Sequence, residues 1–409
     1  MLRIAVHGIL AENAGSGAGS FLLLLRGLLE RGHRVEFFAN PGYVQPRSLE
    51  PYGGYRFRPL RSESAERFYA VTRPFGTYAS AVSSQFSHLA YDREAKRAID
   101  ELDRSEPYDF VLCTDAQAFW PSRLPVVSWP QSPPQTEAAA LRDPTTRRYF
   151  VRSRGAAYYG AVQGFYAYRW ALSRAALAST DVFLCASRWA ADEWVRFGVA
   201  RERVRLLPYP FELGAFSEGP PVGTHEQPTL LWLGRAAPRK RLDLFLAAFA
   251  DVRRRRPNVR ARLVGNLKDD AFAAPLLAEY ASLPGLSIED PLPRERIPSL
   301  LAEVDVVVQP SQNENFGFAL AEALAAGRPI VAGPTNGTLE FAGRAGFGFD
   351  AYTKDSVASA IERALDAVGT RGGELSASAR EAAKPFSTER VVDEFCRLGA
   401  EIGAARRKT

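Results

Sequence analysis

Two glutamates eight residues apart, Glu314 and Glu322, sit in the run Pro310-Ser-Gln-Asn-Glu-Asn-Phe-Gly-Phe-Ala-Leu-Ala-Glu-Ala-Leu-Ala-Ala-Gly327. The run reads as a strand end, a loop, a helix and a glycine stop. Gly317 stands where the helix begins. The amides of Asn315, Phe316, Gly317 and Phe318 therefore direct N–H donors, and the positive end of the helix dipole, into the space beyond the strand. Such a place suits a diphosphate. At about 1.5 Å per helical residue, Glu322 lies roughly 10 to 12 Å beyond Glu314, a span that puts a sugar at one carboxylate and a ribose at the other. Taken singly, each glutamate also reads as an ordinary solvated residue. Glu322, however, is flanked by Ala319, Leu320, Ala321, Ala323, Leu324 and Ala325, so its helix is apolar nearly all round and its carboxylate requires a partner.

A second run, Leu233-Gly234-Arg235-Ala-Ala-Pro-Arg239-Lys240-Arg241, follows a strand and precedes a helix. Open α/β sheets bind ligands at that edge. Arg235 can grip phosphate oxygens in pairs and Lys240 adds a point charge, which together neutralise a departing nucleoside diphosphate without a metal. The sequence contains no D-x-D, so neither a metal nor another cofactor is expected. Weaker candidates for lining the same crevice are His7 at the end of the first strand, Asp115 just past the strand through Cys113, Gln131, and Gly15 and Gly17 in a glycine-rich turn. A lone histidine is more often a satisfied structural residue.

These residues need a frame. The chain has 409 residues, long enough for two domains. Strands are expected at 4–6, 35–38, 110–113, 125–128 and 182–186, with a leucine-rich helix at 20–30 closed by Gly32. Proline and glycine crowd 208–228. The alternation then restarts, with strands at 229–233, 261–264, 304–308 and 329–332 and helices at 242–255, 316–326 and 356–368. The expected class is α/β, with two Rossmann-like doubly wound domains facing a central cleft: residues 1–207, then residues 208–387.

In combination these motifs closely resemble the retaining nucleotide-sugar glycosyltransferases of the family 4 type, which have the GT-B fold. Arg31-Gly32-His33, Ser187, residues 204–208, Leu263-Val264-Gly265, Pro310-Ser311 and Asn336-Gly337-Thr-Leu-Glu340 extend the likeness over most of the chain. The resemblance implies metal-independent transfer of a sugar from a nucleoside-diphosphate sugar to an acceptor hydroxyl. Arg235 and Lys240 would bind the diphosphate. Glu314 and the amides after it would hold the sugar and phosphate, Glu322 the ribose, with Gly234 and Gly265 beside them. A last helix at 388–405 would cross back onto the first domain. Three departures stand out: Arg241 where the family has glycine, Tyr209-Pro210-Phe211 where it has Asn-Gly, and Trp129-Pro130-Gln131 where a histidine usually follows the strand. A sugar-nucleotide 2-epimerase of the same fold, or a non-catalytic sensor, would share the same groove. A dehydrogenase would need a G-x-G-x-x-G after a strand, which is missing.

Lys and Arg number 52 against 46 Asp and Glu, too small an excess to imply nucleic acid, and no nucleic-acid reading module accompanies it. Three dispersed cysteines exclude a disulfide framework and fit a reducing cytoplasm. The amino-terminal apolar stretch is too short for a signal peptide. Residues 142–174 hold seven arginines, one acidic residue and many aromatics. The segment reads either as a basic amphipathic helix in peripheral contact with an anionic membrane, or as aromatic packing with arginines facing water.

Overall fold

The computed structural model describes residues 1–8, 10, 12, 17–40, 45–63, 66–67, 77–114, 123–216, 219–268, 270 and 272–406. Gly15 and Asp115 lie outside these residues.

A first sheet is built from β1 (Arg3–Gly8), β2 (Arg34–Ala39), β3 (Tyr55–Pro59), β4 (Phe110–Thr114), β5 (Val126–Trp129), β6 (Val182–Cys185) and β7 (Val204–Leu206). Its order is β3-β2-β1-β4-β5-β6-β7, and its pairings are parallel, with Ile4 opposite both Val35 and Phe110. Strands covered on both faces must be continuously apolar; every residue of β4, Phe-Val-Leu-Cys-Thr, is buried. With it go the helices α1 (Gly17–Glu30), α2 (Thr77–Asp103), α3 (Pro134–Arg142), α4 (Pro144–Arg154), α5 (Ala156–Ala176) and α6 (Arg188–Phe197).

The second sheet contains β8 (Thr229–Leu233), β9 (Arg260–Val264), β10 (Leu286–Glu289), β11 (Val306–Gln309), β12 (Ile330–Ala332) and β13 (Gly346–Gly348). Its order is β10-β9-β8-β11-β12-β13, again parallel. Around it lie α7 (Leu242–Arg255), α8 (Ala273–Glu279), α9 (Ile297–Ala302), α10 (Phe318–Ala325) and α11 (Lys354–Ala383). The order reverses between β8 and β11, so the loops leaving these neighbours part to opposite faces and open a crevice. Both charged runs of the sequence leave the sheet there.

The last helix, α12 (Thr388–Arg406), lies on the first sheet's side of the molecule. Phe395 meets Phe110 at 5.9 Å, and Val392 fills the space a side chain at Gly27 would need. One hydrophobic cluster runs from β1 and α1 through Tyr209, Phe211 and Phe386 to Phe316 and Leu320. The start of the connection, with Tyr209, Phe211 and Phe216, is thus packed as core, while Gly219, Pro220 and Pro221 are exposed.

The structure corrects several expectations. The segment 142–174 is not one amphipathic helix: it breaks at Pro144 and Gly155 into the end of α3, then α4 and α5. The helix expected over 316–326 starts only at Phe318, because Gly317 takes φ +75°. The helix expected over 356–368 extends to Ala383, with Arg371 leaving helical geometry inside it. The short strands β3, β7, β10 and β13 were not anticipated.

Candidate active site

A cavity of about 690 Å³ opens where β8 and β11 end, within the usual range for a small-molecule site. Gly234, Arg235, Lys240, Glu314, Asn315, Phe316, Phe318 and Glu322 line it, and Gln131 joins them from the first sheet's side. Two backbone features make the loop possible. At Gly317 the left-handed backbone brings the Cβ position to 2.9 Å from Asn336 Oδ1, so a side chain would be both strained and crowded. A side chain at Gly337 would overlap the Asn315 carbonyl and the Ser187 hydroxyl, one of the contacts by which the two halves meet.

At the centre, Glu314 accepts from Arg239 Nη1 at 2.8 Å and from Lys240 Nζ. Burial by itself would raise this carboxyl; the two cations overcome that and hold its pKa at about 2. Lys240 is lowered, by burial first and by neighbouring Arg239 and Arg235 next, against the pull of Glu314. Glu322 accepts from Arg294 Nη1 at 2.8 Å, yet its burial outweighs that cation and raises its pKa. Four cations of the lining, Arg235, Arg239, Lys240 and Arg294, thus face two carboxylates, leaving positive charge in excess. The side-chain amide of Asn315 is buried, and neither its Oδ1 nor its Nδ2 has a partner among the described residues. Gln309 reaches across the crevice to the Leu233 carbonyl and leaves its Oε1 equally unpartnered. Buried polar groups are normally satisfied, so these atoms are open to a donor or acceptor that enters the cavity. The site can therefore take an anion with hydroxyls or amides beside it.

Arg239, Arg294, Tyr209 and Gln309 were missed as lining residues. Arg239 stood in the basic run, where its adjacency to Lys240 was the available signal. Arg294 lies in a 3-10 turn without periodicity and gave none.

Other candidates fall elsewhere. Gly265 is not part of the cavity wall; a side chain there would overlap the Gly234 carbonyl, so it lets β8 and β9 end side by side. Gly17 opens α1. His7, expected as a possible cleft residue, is instead buried, with Nδ1 2.9 Å from the Phe38 carbonyl and Nε2 2.9 Å from Asp92 Oδ1. Burial would lower its pKa, but Asp92 and Phe38 raise it. Both nitrogens face acceptors, as an imidazolium requires, and its place is structural.

The halves are tied across the cavity's rim. Ser187 donates to the Asn315 carbonyl at 2.7 Å, and Asn313 Nδ2 to the Thr136 carbonyl at 2.8 Å. Glu340 accepts from the Arg188 amide at 2.8 Å, closing the amino end of α6 from the opposite domain. Tyr209 lies between Trp129, at 5.2 Å and 19°, and Phe318, at 5.3 Å and 25°. Arg241 takes φ +50° and ψ +48°, so the position where the resembled family carries glycine does demand left-handed backbone. Its guanidinium is buried on Asp243, at 3.0 and 2.9 Å, and reaches Asp143 at 3.5 Å.

Residues 18–213 match the family described as Glycosyltransferase Family 4, and residues 220–385 match Glycosyl transferases group 1. A D-inositol 3-phosphate glycosyltransferase of Geodermatophilus obscurus is 33% identical over 219 residues, 49% of this chain and 47% of that protein. An alpha-D-kanosaminyltransferase of Streptomyces kanamyceticus is 28% identical over 187 residues, 44% of this chain and 47% of its own. The chain spans about half the length of the curated relatives it matches. Among solved structures, sucrose-phosphate synthase from Thermosynechococcus elongatus aligns with a TM-score of 0.68 at 17% identity, covering 98% of this chain and all of the other. HepE from Anabaena, in complex with UDP, aligns at 0.63 with 14% identity and covers 98% of this chain. At such identities the structural likeness speaks for fold. With both sheets matched in sequence and the paired architecture matched in space, the chain belongs to the glycosyltransferases of the family 4 type, with the GT-B fold.

Proposed function

We propose that this protein moves a sugar from a nucleoside-diphosphate sugar to an acceptor hydroxyl, with retention of anomeric configuration and without a metal. The observation that carries the reading is the excess of cations lining the cavity at the β8 and β11 ends around one buried acidic centre. A diphosphate brings the negative charge this cavity lacks, and its charge grows as the sugar leaves. Arg235, which forms no ion pair with a carboxylate among the described residues, would meet that growing charge first. Lys240 and Arg239 would share theirs between Glu314 and phosphate, while the first-turn amides of α10 add uncharged donors. Glu314 keeps its charge throughout, so its role is to orient sugar hydroxyls and cations and not to donate a proton. Glu322, held by Arg294, has a second oxygen for a ribose hydroxyl. HepE, of similar fold, has been solved with UDP and with UDP-glucose, a precedent for this donor class.

The test is a thermal-shift panel of UDP-, GDP-, ADP- and dTDP-sugars, followed by turnover of whichever stabilises the protein. Arg235→Ala should lower turnover by about a hundredfold or more while the melting temperature of the unliganded protein holds. No stabilisation by any of these compounds, or normal turnover in the variant, overturns the assignment.

A further inference from the structure

A second cavity, of about 590 Å³, lies where α3, α4 and α5 meet, and Arg142, Arg147, Arg148 and Arg152 line it together with Tyr159. Arg148 and Arg152 stand one helical turn apart on α4, a like-charge spacing that costs helix stability. Residues 142–176 contain seven arginines and one acidic residue, Asp143. That carboxylate accepts from the Thr146 amide at 3.1 Å and faces Arg241 at 3.5 Å. The wall is also shaped. Arg142 Nε is held by Gln163 at 3.2 Å, and the Arg147 guanidinium lies 5.5 Å from the Tyr159 ring centre. Planar guanidinium groups lining one opening can pair with the oxygens of a phosphate ester.

The helices that line this cavity also touch the loops that form the donor cleft, through Asn313 on Thr136 and Arg241 on Asp143. The Thr136 carbonyl, at the start of α3, is bound by Asn313 of the loop that carries Glu314, and Arg142 closes the same helix about 9 Å further on. Resting on the proposed sugar transfer, we infer that the four-arginine cavity holds a phosphate ester on the acceptor, whose hydroxyl enters the donor cleft. The phosphate arrives either on a soluble phosphorylated polyol or on the headgroup of an anionic lipid.

The experiment uses the full chain saturated with UDP, so that a second anion cannot be scored at the donor cleft. One arm titrates myo-inositol 1-phosphate against myo-inositol by calorimetry. The other sediments the protein with vesicles of equimolar phosphatidylglycerol and phosphatidylcholine against phosphatidylcholine alone. Binding of the phosphorylated probe over its neutral counterpart in either arm, weakened about tenfold or more in Arg147→Glu/Arg152→Glu and partly in Arg147→Gln/Arg152→Gln, supports the site, and the arm that responds names the source. Both double variants should keep the wild-type melting temperature and UDP affinity, which separates loss of this site from loss of fold or donor binding. Equal binding of charged and neutral probes in both arms, or unchanged binding by the charge-reversed variant, overturns the inference. If UDP fails to bind while a phosphate probe does, the donor reading fails and the anion site stands.

Discussion

At the scale of single residues, Glu314 shows what burial and charge do together. Its depression from 4.5 to about 2 corresponds to a stabilisation on the order of 3 kcal/mol at neutral pH. Because the folded value lies below the unfolded one, that contribution is complete above the ordinary carboxylate range and disappears as pH falls towards 2. Glu314→Gln should therefore lose roughly this amount near pH 7 and show a flatter decline between about pH 5 and pH 2, read from urea midpoints. Glu322 carries the opposite sign. Its folded pKa is raised by burial against the opposing Arg294, so it favours the fold at low pH and loses that advantage as pH rises through its folded value. Removing the cation with Arg294→Ala should steepen this loss: destabilisation should be larger at about pH 8 than at about pH 5, measured as melting temperatures across that range. A variant equally destabilised at both ends would exclude the pairing as the cause.

Among the elements, the turn Pro238–Lys240 and its exit at Arg241 decide where the cations of the cavity point. Left-handed backbone at a non-glycine residue costs roughly 1 to 2 kcal/mol. Breaking a buried ion pair costs roughly 3 to 5 kcal/mol, and Arg241 is 3% exposed on Asp243 and Asp143. The second quantity is larger. Arg241→Gly, although it restores the residue usual in the family, should therefore destabilise the protein by a net amount of about 1 to 4 kcal/mol in denaturant unfolding. Arg241→Lys should not rescue it, since an ammonium cannot make the paired contacts with Asp243. Stabilisation by glycine would show that the ion pairs contribute little.

For the molecule as a whole, the closed arrangement is held by few polar ties around an aromatic stack. Glu340 on the amino end of α6, Ser187 on Asn315 and Asn313 on Thr136 bridge the halves. Trp129, Tyr209 and Phe318 continue the first core into the second. Ties of this kind can be released one at a time without unfolding either half. Glu340→Ala should enlarge the radius of gyration in small-angle scattering and raise KM for the nucleotide sugar, with circular dichroism unchanged. An unaltered scattering curve and KM would show that the remaining contacts suffice for closure.

Much of this was legible in the chain because it depends on local pattern. The strand Thr229–Leu233 and the helix Leu242–Arg255 emerge at their expected bounds, since an apolar run and a 3.6-residue period are properties of neighbours in sequence. The same holds for the placing of Arg235, Lys240, Glu314 and Glu322 at the mouth of a parallel sheet. The edge strands β10 and β13 were illegible because they are short and only partly buried, with no pattern strong enough to compete with a loop. Which cation answers which acid was equally hidden. Arg239 finds Glu314 across 75 residues, Arg294 finds Glu322 across 28, and His7 finds Asp92 across 85. Residue type and spacing determine what chemistry the chain carries. Coulomb attraction and desolvation act through space, over a few ångströms, and only the order of strands in the two sheets brings those groups that near.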